Sequence, residues 1–176
     1  MIYFLRHTRP NIKAGICYGI TDLDLDPKSY VADIAQIKEG ISEVKFDAIY
    51  SSPLKRCRQA AEAIASESEI ILDARLKEMD FGEWEMMRWS EIFEAQSGKE
   101  WFANYINCPT PRGESFSNLV HKAKSFIEEV KDKKGDILVV THAGFIRAAM
   151  VASLVAPAAE IFDRTIEYGE IIKLDI

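Results

Sequence analysis

The sequence predicts a three-layer α/β/α sandwich with a mostly parallel central sheet, a terminal antiparallel edge strand and a small helical insertion over the site. Short apolar runs alternate with segments whose apolar residues recur at helical spacing. No repeat, linker or low-complexity tract interrupts them. A length of 176 residues with 48% hydrophobic residues suits one core. We therefore expect residues 1–176 to form a single domain with a helical insertion at about residues 81–112.

The first half of the chain contains three candidate strands and one helix. Residues 2–5 are continuously apolar, as expected for a central parallel strand covered by helices on both faces. Residues 47–50 and 70–72 are weaker strand candidates. A helix is expected between them over residues 53–65, because Ser52 resembles an N-cap and a proline follows at the first helical position.

The middle of the chain contains a tryptophan-rich segment and an amphipathic helix. The aromatic residues of segment 81–105 follow no single stripe, which indicates short helices over one end of the sheet. We interpret them as core, with a lid over a ligand as the alternative. The helix is expected to start after Gly113, because apolar residues from Phe116 to Val130 recur at helical spacing.

The C-terminal third begins with a second continuously apolar run at residues 137–140, typical of a central strand. Further on, residues 164–168 and 171–176 flank Gly169 and Glu170. This pattern predicts a terminal hairpin that adds an edge strand.

Composition excludes several function classes. A net charge of −6 disfavours binding to nucleic acid or to an anionic membrane surface. Cys17, Cys57 and Cys108 form no CxxC pair, which argues against a disulfide framework or a zinc knuckle. No signal peptide or membrane span is apparent, and we expect a cytoplasmic protein.

Two histidines and two arginines fall where parallel strands end. Arg6 and His7 follow the first strand, His142 follows the strand at 137–140, and Arg56 lies near the start of the first predicted helix. A lone histidine or arginine is more often structural, but ligands bind where parallel strands end in open α/β folds. Convergence of all four is therefore informative. His121, the third histidine, lies opposite the apolar stripe of its helix and is expected in solvent.

These four side chains match a phosphate dianion better than a metal ion. Arginine forks and helix N-termini bind phosphate, whereas a zinc site requires three or four ligands without cations. A neutral imidazole in such a pocket can attack phosphorus and form a phosphohistidine that water later hydrolyses. We therefore expect a small phosphorylated substrate, no metal and no cofactor.

The departing alkoxide also needs a proton donor. Glu78 follows the strand candidate at 70–72 in the right direction. Spacing alone admits Asp80, Glu83 and Glu85 as well.

Four motifs spanning nearly the whole chain resemble the histidine phosphatase superfamily, in its phosphoglycerate-mutase-like branch. They lie, in the order of that family, at residues 5–10, 51–56, 76–85 and 140–144. The resemblance implies that His7 is the phosphorylated nucleophile and that Glu78 is the proton donor. It also implies a phosphate pocket of Arg6, Arg56 and His142, with His142 taking part in catalysis.

Residues 17–22 and 111–116, together with the His-Thr-Arg-Pro run, are most similar to the α-ribazole phosphatases of cobalamin synthesis. The resemblance implies a phosphomonoesterase acting on α-ribazole 5′-phosphate. It places these side chains at the substrate: Thr8, Arg9, Tyr18, Thr21, Arg112 and Ala143. Arg112 stands where glycine is commoner in the family and would add a cation near the substrate. Thr8 replaces another common glycine, so we expect an ordinary φ there.

Three alternatives remain open at the level of sequence. They are a phosphoglycerate mutase, a broad small-molecule phosphatase and a phosphate-binding regulator without turnover. Mutases of the family are generally longer, and the intact pair of histidines with Glu78 disfavours a regulator. A homodimer is possible.

Overall fold

A five-stranded sheet lies at the centre of the computed structural model, which describes residues 1–66 and 68–175. Its strands are β1 (Ile2–Arg6), β2 (Phe46–Ser51), β3 (Ile70–Leu72), β4 (Asp136–Thr141) and β5 (Ile171–Leu174). The strand order is β3-β2-β4-β1-β5, and only β5 runs antiparallel to its neighbour, β1. The predicted mostly parallel sheet with an antiparallel edge strand is confirmed.

Six helices surround the sheet in the described residues. They are α1 (Tyr30–Gly40), α2 (Lys55–Ala65), α3 (Trp89–Glu94), α4 (Gln96–Ala103), α5 (Phe116–Val130) and α6 (Ala143–Ala152). Because side chains alternate along a strand, Tyr3 and Leu5 face the core under α1 and α2, whereas Ile2 and Phe4 face α5 and α6. The three-layer architecture follows from two cores on opposite faces of one sheet.

Strand register brings the predicted site residues together. Arg6 pairs with Thr141 across β1 and β4, so that His7 and His142 leave adjacent strands at the same level. Ser51 of β2 pairs one residue earlier on β4. The segments after β1, β2 and β4 therefore meet at one edge of the sheet.

The predicted start of α2 is wrong by two residues. Leu54 has extended backbone (ψ 137°) and is the N-cap, so the helix begins at Lys55. Ser52 lies two residues before this N-cap; its hydroxyl is 3.4 Å from the Leu54 N–H and 2.9 Å from the Nε2 atom of His142. The Ser52 side chain, which the local sequence predicts as the helix cap, therefore contacts His142 in the tertiary structure.

The predicted C-terminal hairpin is also wrong. Residues 164–168 form no strand; β5 instead pairs directly with β1. The Ile166 carbonyl accepts a hydrogen bond from the Arg6 guanidinium, so this segment crosses the end of β1. Ile176, which the predicted strand included, lies outside the described residues.

Helix α5 and the helical insertion agree with the predicted pattern. Ser115 caps α5 and accepts from the Asn118 N–H, while Asn118 accepts in return, as in a capping box. His121 is exposed, as predicted. Helices α3 and α4 occupy the tryptophan-rich segment.

No helix in residues 1–66 or 68–175 has both the length and the apolar character to cross a bilayer.

Candidate active site

The two histidines and two arginines form one buried cluster. His7, Arg56 and His142 are at most 2% exposed, and Arg6 is partly buried. The rings of His7 and His142 lie 5.1 Å apart between centroids. The register of β1, β2 and β4 places the carboxyl ends of these strands side by side, as the sequence predicts.

His7 is held as a neutral imidazole with an unprotonated Nε2 atom. Its Nδ1 atom lies 2.7 Å from the Thr8 carbonyl, which can only accept, so Nδ1 carries the proton. Burial lowers the pKa of His7 well below 6.5, and the positive charges of Arg56 and Arg6 lower it further. These effects outweigh the Thr8 hydrogen bond, which raises the pKa. At neutral pH, Nε2 is therefore unprotonated, as an attacking imidazole requires.

His142 is positioned by two side chains from the β2 and α2 region. Its Nε2 atom lies 2.9 Å from the Ser52 hydroxyl and 3.3 Å from Cys57 Sγ. Burial is the main cause of its lowered pKa, followed by the charge of Arg56. The sequence indicated neither Ser52 nor Cys57 as a partner of His142, because no local pattern reveals a contact between residues 85 or 90 positions apart.

The two arginines differ in how many of their donors remain free. Arg56 donates Nη1 to the Thr21 carbonyl (2.8 Å), Nη2 to the Gly19 carbonyl (2.5 Å) and Nε to Nε2 of His7 (3.3 Å). Arg6 donates only Nη1, and its buried Nε has no partner among the described residues. Arg56 supplies mainly fixed charge beside His7, whereas Arg6 keeps N–H groups of the kind that bind oxyanions.

Glu78 reaches the site through the start of α6. One carboxylate oxygen accepts from the Gly144 N–H at 3.0 Å and the other from the Met79 N–H at 3.0 Å. A Cβ atom at position 144 would lie 2.1 Å from Oε1, so any larger residue there would displace the Glu78 carboxylate. Glu78 is partly exposed and lines the cavity beside His7.

The other three carboxylates are engaged elsewhere. Asp80 accepts from a turn N–H at 2.8 Å, and Glu83 faces Arg112 at 3.7 Å on the surface. Burial alone would raise the pKa of Glu85, but hydrogen bonds from the Thr21 hydroxyl and three backbone N–H groups lower it overall. Glu85 is therefore a fixed anion that anchors a loop.

A cavity of about 510 Å³ opens over His7. Its polar lining includes Arg6, His7, Tyr18, Glu78 and Arg147. Seven aromatic side chains form its wall: Phe81, Trp89, Phe93, Trp101, Phe102, Phe116 and Phe162. The insertion helices α3 and α4 supply four of them. The cavity beside Arg6 and His7 is therefore walled mainly by aromatic rings.

The structure brings four of the six predicted substrate residues near the site. Tyr18 and Ala143 line the main cavity. Thr8 follows His7 directly, with an ordinary φ; its buried hydroxyl has no partner among the described residues. Arg9 is exposed and lines an adjoining cavity of about 450 Å³ with Arg6.

The remaining two residues do not lie where a substrate contact was expected. The Thr21 hydroxyl donates to Glu85, and its carbonyl accepts from Arg56, so this residue supports the pocket from behind. Arg112 is exposed and faces Glu83 instead of the cavity. Its φ of +57° accounts for the glycine expected at this position.

Within residues 1–66 and 68–175, no group of three His, Cys, Asp or Glu side chains is arranged to hold a metal ion.

The model of the histidine phosphatase superfamily (branch 1) matches residues 2–176. The chain belongs to this superfamily. The family resemblance indicated by the four motifs is confirmed.

Individual histidine phosphatases similar to this chain carry different substrate names. An adenosylcobalamin/alpha-ribazole phosphatase of Salmonella typhimurium is 26% identical over 99% of this chain and 90% of its own. A protein of Hydrogenobacter thermophilus named "Putative phosphoserine phosphatase 2" is 32% identical over 84% of this chain and 75% of its own. The crystal structure of the alpha-ribazole phosphatase from Shigella flexneri superposes with a TM-score of 0.86 at 20% identity, covering 97% of this chain and 87% of that one.

Proposed function

We propose that this histidine phosphatase is a metal-independent phosphomonoesterase that forms a phosphohistidine at His7 and acts on α-ribazole 5′-phosphate. The observation that carries the proposal is the buried neutral imidazole of His7, whose Nε2 lone pair lies among three further phosphate-binding groups. Arg6, Arg56 and His142 are those groups.

The reaction proceeds in two displacements at phosphorus. In the first, His7 Nε2 attacks phosphorus, the bond to the leaving oxygen breaks and Glu78 delivers a proton to that oxygen. Arg6 and Arg56 balance the charge on the phosphoryl oxygens, and His142 lies beside them. In the second, water attacks phosphorus and gives its proton to Glu78, the bond between phosphorus and His7 Nε2 breaks, and inorganic phosphate leaves. Glu78 is then protonated again, and His7 is free for the next cycle.

The substrate proposal rests on the aromatic wall of the cavity. The flat benzimidazole of α-ribazole 5′-phosphate can stack on these rings, whereas the leaving group of 3-phosphoglycerate or phosphoserine offers only small polar groups. Phosphoserine is the second candidate, because the Hydrogenobacter thermophilus relative carries that name at 32% identity.

We also propose that residues 1–176 are one catalytic domain in a cytoplasmic protein. Both cores lie against a single sheet, and the superfamily model spans residues 2–176. Cys17 and Cys57 are buried free thiols, which suits a reducing compartment.

Chelation of divalent ions should leave the activity unchanged. The proposed pocket balances phosphate charge with two guanidinium groups, and the nucleophile is an imidazole. Hydrolysis of a small phosphomonoester is measured before and after dialysis against EDTA, with vanadate as a competitive inhibitor. Loss of activity that a divalent ion restores would contradict the metal-independent mechanism.

α-Ribazole 5′-phosphate should have a kcat/KM at least about tenfold above those of 3-phosphoglycerate and phosphoserine. Each aromatic contact adds about 0.5 to 1.5 kcal/mol beyond area burial, or about 2- to 13-fold, and the wall offers the benzimidazole more than one ring. Binding of α-ribazole 5′-phosphate should also quench tryptophan fluorescence through Trp89 or Trp101. A higher kcat/KM for phosphoserine would replace the proposed substrate, and net conversion of 3- to 2-phosphoglycerate would identify a mutase. Neither result would alter the proposed phosphohistidine chemistry.

A further inference from the structure

The guanidinium group of Arg6 stacks on an aromatic ring that comes from the far end of the chain. Its Cζ atom lies 3.7 Å from the ring centroid of Tyr168, which is the distance of face-to-face contact. The ring of Tyr168 is also 5.7 Å from the His7 ring. Tyr168 therefore lies beside both the nucleophile and a phosphate-binding cation, although no motif pointed to it.

Among the described residues, only one nitrogen of the Arg6 guanidinium donates a hydrogen bond. Nη1 donates to the Ile166 carbonyl at 2.5 Å, whereas neither Nε nor Nη2 donates to a described residue. Nε and Nη2 form the side edge of the guanidinium, which presents two parallel N–H groups to an oxyanion. The stack on Tyr168 sets the plane of this fork, and the Ile166 carbonyl sets its rotation within that plane.

The segment that holds Arg6 is itself anchored on two sides. The Gly169 N–H donates to the Arg6 carbonyl at 3.1 Å, and the Arg6 N–H donates to the Glu170 carbonyl at 3.0 Å. The hydroxyl groups of Tyr168 and Tyr18 lie 2.7 Å apart, which ties the ring to the loop that also holds Arg56. The ring thus has a fixed position relative to the phosphate pocket.

We propose that Tyr168 is a positioning residue that, with the Ile166 carbonyl, turns the Nε and Nη2 edge of Arg6 toward the phosphoryl group. This inference rests on the proposed function, because it requires a phosphoryl group at His7. The ring face matters more than the hydroxyl, since the face contacts the guanidinium. Long side chains lose entropy when they are fixed, and the stack removes this cost before substrate binds.

Vanadate binding measured by calorimetry tests this role without turnover. Tyr168→Phe keeps the ring and should leave the vanadate Kd within about twofold of the parent chain. Tyr168→Leu removes the ring and should raise that Kd roughly 3-fold to 30-fold, the range that cation–π contacts span. The KM of a phosphomonoester should rise similarly, with a smaller change in kcat. Tyr168→Met, which also lacks a ring, provides the same test if the Leu variant does not fold.

Two controls separate positioning from general stability. Tyr30→Leu removes a partly buried tyrosine at the start of α1, on the other face of the sheet, and should not change vanadate affinity. In an Arg6→Lys background, where no fork remains to be oriented, Tyr168→Leu should change the Kd less than about twofold. An equal loss in both backgrounds, or no loss from Tyr168→Leu in the parent, would overturn the proposal. A change of preferred substrate would affect only the proposed function.

Discussion

His7→Ala is expected to reduce phosphatase kcat by about 10⁴-fold or more and to abolish the acid-labile phosphoenzyme. In the proposed mechanism, the Nε2 lone pair of His7 attacks phosphorus, while the Nδ1 proton is donated to the Thr8 carbonyl. Rapid quench with a labelled phosphomonoester, followed by acid and base treatment of the protein, measures the phosphoenzyme directly.

His121→Ala is the matched control for this variant. His121 is exposed on α5 and contacts a backbone carbonyl of its own helix, so its loss should leave both turnover and labelling unchanged. If the phosphoenzyme persisted in His7→Ala, the nucleophile would have to be reassigned, and His142 is the next candidate because its ring is 5.1 Å away.

Glu78→Gln is expected to slow hydrolysis of alkyl phosphates by about 10² to 10⁴-fold and of aryl phosphates much less. An alkoxide leaves poorly without a proton, whereas a phenolate is already stabilised. Backbone N–H groups of Met79 and Gly144 each donate to one oxygen of the Glu78 carboxylate, and the single amide oxygen of the variant can keep one of these two hydrogen bonds. Parallel measurement of kcat for one alkyl and one aryl phosphate tests the acid role.

Glu83→Gln serves as the control, because Glu83 faces Arg112 on the surface. It should leave both substrate types unaffected. Equal losses for alkyl and aryl phosphates in Glu78→Gln would instead assign Glu78 a binding or structural role. Asp80→Asn would then be the variant to measure, since Asp80 follows the same strand.

The strands, the amphipathic helix and the convergence of charges could be predicted because each depends on local pattern or chain order. Apolar runs at residues 2–5 and 137–140 mark central strands, and the carboxyl ends of parallel strands meet at one edge. Arg6, His7, Arg56 and His142 accordingly come together in the structure. Which carboxylate faces the cavity did not follow from spacing and required the motif resemblance.

Contacts between distant segments account for what local pattern did not contain. The Ser52 hydroxyl serves His142 across 90 residues of sequence, instead of capping α2. Residues 164–168 cross the end of β1, and Ile166 accepts from Arg6 across 160 residues. Glu78 is bonded at the start of α6, 66 residues away. Side-chain period and chain order predict which residues reach the edge of the sheet, but strand order and register determine which of them touch, and these depend on packing across the whole fold.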